Sequence, residues 1–97
     1  MSAAARRSGG TNYSGSQFSE EIVQAVWNKG RVDPRYDGNV FRYDSYGTWM
    51  KRSSYGTTGE FGWEIDHVKP VSAGGSDALS NLQPLHWKNN RSKGDSW

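Results

Sequence analysis

The residues able to do chemistry sit late in the chain, where Asp66 and His67 are adjacent and Asn90 follows on a separate element. A carboxylate and an amide carbonyl are hard oxygen donors. They suit Mg²⁺ or Mn²⁺, since Mg²⁺ keeps most of its waters and often takes one or two protein ligands beside phosphate oxygens. Histidine is the side-chain type that titrates near neutrality, as a general base requires. A cation that clamps a phosphate, beside a base that activates water, describes phosphodiester hydrolysis.

These residues need a scaffold. Trp63 to Val68 reads as a short strand, with Trp63, Ile65 and His67 on one face and Glu64, Asp66 and Val68 on the other. Pro70 ends it, and Val71 to Ser80 is a loop turning at Gly74-Gly75. Asn81 to Leu85 reads as a second strand, in which Pro84 is tolerated only near an edge or bulge. Trp87 to Asp95 forms two helical turns stopped by Gly94. Such a hairpin carries the end of the first strand to the start of the helix, so that Asp66 and Asn90 can face one point. Glu64 reads either as an assistant at the site or, the preferred reading, as a surface salt-bridge partner; Asn89 reads as a helix-surface residue, and Trp63 and Trp87 as core.

In order, Asp66-His67, Gly74-Gly75, Asn81-Leu82 and the run from Asn90 to Asp95 resemble the HNH endonuclease motif in its Asp-His…Asn…Asn form. Singly, none of these signals means much; together, with their hydrophobic spacers, they are specific. The resemblance covers Trp63 to Asp95, and Trp27 to Gly62 is more loosely similar to the upstream part of small stand-alone HNH proteins. It implies an α+β fold with a ββα-metal core over about residues 63–95, inside a single nuclease domain spanning 17–97. It also implies roles. Asp66 and Asn90 would be metal ligands and His67 the general base, while Asn81 would tie the loop to the strand and help orient His67. Arg91 and Lys93 would lie near phosphate.

Many members of that family carry two CxxC pairs around a structural zinc, but this chain has no cysteine. Its stability must then rest on its aromatics and upstream elements. His86 stands where one of those cysteines would precede the helix, four residues before Asn90. It enters as a third candidate ligand, against the alternative of a helix-start or surface histidine bonded to water. Asn rather than His at position 90 tilts the metal toward Mg²⁺ or Mn²⁺, one ion per site.

Upstream, Met1 to Ser16 is Gly/Ser-rich with one basic pair and reads as a flexible tail. Ser19 reads as the N-cap of a helix of about ten residues, with Ile22, Val23, Val26 and Trp27 forming its apolar stripe and Gly30 its left-handed exit. Asn39 to Asp44 and Thr48 to Arg52 form a hairpin around Ser45-Tyr46-Gly47. From Lys29 to Arg52 six basic residues face three acidic ones, a local +3. Arg42, Lys51 and Arg52, interleaved with aromatics, suit phosphate-backbone contact, or else form an ordinary solvated sheet face.

The whole chain of 97 residues is one domain in size, with net charge +2, 33% hydrophobic residues and a mean hydropathy of −0.92. No stretch approaches the ~18 apolar residues of a membrane span, and Met1 to Gly10 lacks the apolar run of a secretory signal. A cytoplasmic location is the expectation. Absent cysteine excludes disulfides, thiol catalysis and cysteine-ligated zinc. The expected function is metal-dependent hydrolysis of DNA, nicking with low sequence specificity. The alternatives are the nuclease domain of an antibacterial toxin, with an immunity or inhibitor protein as partner and delivery into another cell, or a non-catalytic nucleic-acid-binding module.

Overall fold

Ser19 opens the first helix of the computed structural model, which describes residues 17–97; the expected tail over 1–16 lies outside them. The Ser19 hydroxyl accepts the Ile22 amide at 3.2 Å, and Glu20 and Glu21 lie at the positive end of α1 (Glu20–Trp27). The helix has eight residues, about half a turn fewer than expected, and exits at Asn28 in ordinary right-handed geometry, φ −64°. Gly30 is therefore not a left-handed exit. It is needed for closeness: a Cβ there would lie 2.9 Å from that of Arg42.

Gly47, at φ 85°, closes the turn between β1 (Phe41–Tyr43) and β2 (Trp49–Lys51), which pair antiparallel with Tyr43 opposite Trp49. Met50 faces inward and is fully buried. A second two-stranded sheet pairs β3 (Trp63–His67) with β4 (Leu82–His86), Trp63 opposite His86 and His67 opposite Leu82. In this two-stranded sheet β4 pairs with β3 alone among the named strands, an edge position that admits Pro84 opposite Ile65. The chain passes from β4 directly into α2 (Trp87–Lys93). The architecture is α+β, with the ββα unit at the C-terminal end preceded by one helix and a hairpin.

The core joins these parts. Val23, Val26 and Trp27 of α1 meet Met50, Trp63, Ile65 and Leu82, with Phe18, Ile22 and Tyr55 at its margin. Trp27 and Trp63 pack with ring centres 5.2 Å apart. Each indole finds a carbonyl, Trp27 that of Gly38 and Trp63 that of Arg52, so neither buried N–H is orphaned. Burial pushes the Tyr55 hydroxyl up to about 12, with Glu64 and Glu20 adding to the shift. Trp87 is not core: it is half-buried and its indole donates to Gly59 at 2.8 Å.

Asp44 fastens the hairpin to the start of α2. One carboxylate oxygen accepts the Tyr46 and Thr48 amides, and the other accepts the His86 amide at 3.0 Å and the Asn89 side-chain amide at 2.8 Å. Asn89 is thus a tie between elements and not a helix-surface residue. Asp44→Ala would strand buried donors at a cost of about 3 kcal/mol or more. Urea unfolding should show that loss; a change below about 1 kcal/mol would mean that the clamp is dispensable.

Candidate active site

Strand alternation turns Glu64 and Asp66 to the face of β3 that packs against α2. Asn90 and Lys93, three residues apart, share the opposing helix face. The contacts form successive rungs. The Asn90 amide nitrogen donates to Glu64 Oε1 at 2.8 Å, and Arg91 donates to Glu64 Oε2 at 2.7 Å. One pleat along, Lys93 Nζ lies 3.2 Å from Asp66 Oδ1 and 3.1 Å from the His67 carbonyl, while Gln83 donates to Asp66 Oδ2. Glu64 is 2% exposed, so it is a buried partner of the helix and no surface salt-bridge residue. Burial raises the Asp66 carboxyl above its ordinary value, opposed by the Gln83 hydrogen bond and the Lys93 charge.

The amide of Asn90 has a definite orientation. A carboxylate accepts only, so the nitrogen faces Glu64 and the carbonyl oxygen is left for another partner. Asn90 and Asp66 thus project into one seam, on adjacent rungs.

His67 lies on the other face of β3. Its ring is almost wholly buried, 6.1 Å from that of Phe18, and its Nε2 is 2.7 Å from Asp77 Oδ1. The carboxylate accepts, so Nε2 carries the proton, and among the described residues Nδ1 has no hydrogen-bond partner. Asp77 comes from the loop after β3, and that loop is built on its glycines. Gly74 adopts φ 91°, and a Cβ on Gly75 would fall 1.7 Å from the Lys69 carbonyl oxygen. Asn81 staples the loop shut. Its Oδ1 accepts the Lys69 amide, its Nδ2 donates to the carbonyls of Lys69 and Ser76, and its own carbonyl accepts the Val68 amide at 2.8 Å.

Several expected contacts have other partners in the fold. His86 is the N-cap of α2: its Nδ1 accepts the Lys88 amide and its Nε2 lies 2.7 Å from the Glu60 carbonyl. Both ring nitrogens are engaged, in the helix-start role that was the alternative to a ligand. The Arg42 guanidinium donates to the carbonyls of Gly38, Asn28 and Gly30, closing the loop after α1. Arg52 binds Gln24 and Glu20 of α1. These two arginines, expected at a phosphate backbone, are structural ties. Lys51 stays on the outward face of the hairpin, and Arg91 remains half exposed beside Glu64. Lys93 is buried against Asp66.

Residues 56–96 match the family model for HNH endonucleases. This segment is an HNH endonuclease domain. No curated protein and no solved structure matches the chain. HNH domains are nuclease domains that act on nucleic acid and generally use a divalent metal ion. Among the described residues no three His, Asp or Glu side chains gather as a metal cluster. The seam does offer oxygen donors to a cation: the buried Asp66 carboxylate and the His67 carbonyl draw the Lys93 ammonium.

Sequence reading preferred a surface salt bridge for Glu64 over a part in the site and did not single out Asp77, yet Glu64 bonds Asn90 and Asp77 bonds His67. Glu64 lies two residues before Asp66, on the same strand face, and that spacing was available as a signal. Asp77 gave none, because its place depends on how the loop folds back. The His67–Asp77 pair makes a spectroscopic prediction. At alkaline pH the ¹⁵N spectrum of His67 should show a protonated Nε2 and a bare Nδ1, and Asp77→Ala should mix the two tautomers. A mixed tautomer in the unaltered protein would contradict the pairing.

Proposed function

We propose that the chain is a metal-dependent endonuclease that hydrolyses DNA phosphodiester bonds, nicking with low sequence specificity. The observation that carries this reading is the β3–α2 seam. There a buried, cation-seeking carboxylate and an oriented amide carbonyl adjoin the strand end that bears a carboxylate-tethered imidazole.

Asp66 and Asn90 would hold a Mg²⁺ or Mn²⁺ ion, one per site, without His86. When bound, such an ion supplies charge stabilisation at the phosphate and at the leaving 3′ oxygen. Glu64 holds the Asn90 carbonyl toward the seam. Asp77 keeps the proton on His67 Nε2, leaving Nδ1 to take a proton from the attacking water. The imidazole is buried, so substrate has to displace what covers it; Phe18 and the loop bearing Asp77 are the adjoining parts. Asn81 gives that loop a fixed root. Lys93, which pairs with Asp66, would be free to meet phosphate beside Arg91 if an ion took its place there. No helix among the described residues is long and apolar enough to cross a membrane.

The same buried imidazole favours a second reading, a nucleic-acid-binding module whose ββα element is only a scaffold. Plasmid cleavage separates the two. With Mg²⁺ or Mn²⁺ the protein should nick supercoiled DNA, and chelation should abolish nicking. His67→Ala should cut more slowly by about 10²- to 10⁴-fold. Equal rates in the two proteins, or binding that persists with no cleavage under either cation, would reject the enzymatic reading.

Glu64 gives a separate check on the metal site. Removing an outer partner of a ligand typically costs about 10- to 100-fold in metal affinity or activity. Glu64→Ala should therefore raise the Mn²⁺ concentration needed for half-maximal nicking by about that factor. Glu64→Gln, which keeps an acceptor for Asn90, should lose less. Equal losses in the two variants would show that Glu64 acts by charge alone.

A further inference from the structure

The outer face of the hairpin carries a set of aromatic residues, of which Tyr36 is exposed and the rest are partly buried against one another. Alternation sends Met50 into the core and Arg42 to its carbonyl partners, which leaves Phe41, Tyr43, Trp49 and Lys51 on the opposite face. Tyr36 and Phe61 extend that face. Tyr43 and Trp49 stack at 4.1 Å and 17°, Tyr36 meets Trp49 edge-on at 5.3 Å, and Phe61 meets Phe41 at 5.6 Å. Tyr36 is 50% exposed and the others are half-buried. An outward, contiguous set of rings on a small domain is the mark of a binding surface.

Its charge identifies the kind of partner. The Arg31 guanidinium lies 4.4 Å from the centre of the Tyr43 ring, and Arg35 lies 5.8 Å from that of Tyr36. Asp33 is already committed to Arg35 at 2.7 Å and to the Tyr43 hydroxyl at 3.0 Å. Those contacts hold its carboxyl well below the usual range and fix the Tyr43 ring in place. Arg31 and Lys51 have no carboxylate partner among the described residues. Rigid rings bordered by uncommitted cations match unpaired nucleobases and the phosphates that join them. Every base offers a π face, and a duplex keeps those faces stacked internally.

We propose that the outer face of the β1–β2 hairpin is a stacking platform for unpaired bases, so that the preferred substrate is single-stranded or locally opened nucleic acid. Tyr36 and Trp49 supply the rings, and Arg31 and Lys51 hold the backbone. This rests on the nuclease reading above for its biological sense, but the binding is a separate property of the fold.

The test is binding without cleavage. Fluorescence anisotropy in EDTA would compare labelled oligothymidylate, oligouridylate and a blunt DNA duplex. The protein should bind at least one single strand more tightly than the duplex and quench its own Trp emission on doing so. Tyr36→Ala and Trp49→Leu should each weaken single-strand binding by about 5- to 100-fold, with duplex binding unchanged. Tyr36 is exposed enough that its variant should fold, and a circular dichroism melt checks both variants. Unchanged single-strand affinity in both variants, or an equal loss on the duplex, would overturn the platform. So would sedimentation showing a dimer that Tyr36→Ala disperses without affecting oligonucleotide binding. Failure of metal-dependent nicking would instead strike the nuclease reading and leave this result intact.

Discussion

Everything at the site depends on pinning α2. A helix of seven residues has almost no stability of its own, since nucleation is not recovered over so few hydrogen bonds. It is held instead by side chains along its length. Asn89 is bonded to Asp44 at its start, Asn90 and Arg91 to Glu64 in its middle, and Lys93 to Asp66 at its end. Three carboxylates from two sheets therefore set where the helix lies. The family resemblance implies that many members fix this region with a cysteine-bound zinc. Here His86 and Asn89, at the edge of β4 and the start of α2, converge on the Asp44 carboxylate. A hydrogen-bonded acceptor shared by hairpin and helix links the two elements without a metal.

That solution has an electrostatic consequence. Glu64 and Asp66 are both buried, on one strand face, two residues apart. Buried carboxylates are costly unless paired, and like charges in one seam add to the cost. Arg91 and Lys93 offset it, but Arg91 is half exposed and Lys93 is stretched across Asp66 and a carbonyl. Burial still raises the Asp66 carboxyl. The desolvated carboxyl is therefore eased by added positive charge, which a divalent ion held there as proposed would supply.

Order and type of elements were legible from the sequence because their signals are local. Ser19 caps the helix that follows it, Gly47 turns the hairpin, and Gly74 and Gly75 close the loop before Asn81. The boundaries of β4 slipped by one residue because His86, read at the start of the helix, still pairs with Trp63. What stayed hidden was long-range. Asp44 looked like one more turn residue, yet its partners His86 and Asn89 lie far along the chain. Arg42 and Arg52 looked like phosphate binders because charge is visible in a sequence and carbonyl partners are not. The same reasoning explains Asp77. Nothing near it in the chain says that its carboxylate will meet His67, since that contact is created by the fold of the loop.

The distribution of aromatic residues divides by physical task. Trp27 and Trp63 fill the core, and both bond their indole nitrogens to carbonyls. The rings of Tyr36, Phe41, Tyr43, Trp49 and Phe61 add little to that core, because they pack on one another outside it. A chain with 33% hydrophobic residues and no disulfide would gain more by burying them. Their outward placement is maintained by specific contacts: Asp33 holds the Tyr43 hydroxyl, and the Arg31 guanidinium lies against its ring. Side chains kept rigid at the surface lose little entropy when something stacks on them. The hairpin that delivers Asp44 to the helix on one side therefore carries an ordered aromatic face on another, the face proposed above as a platform for unpaired bases.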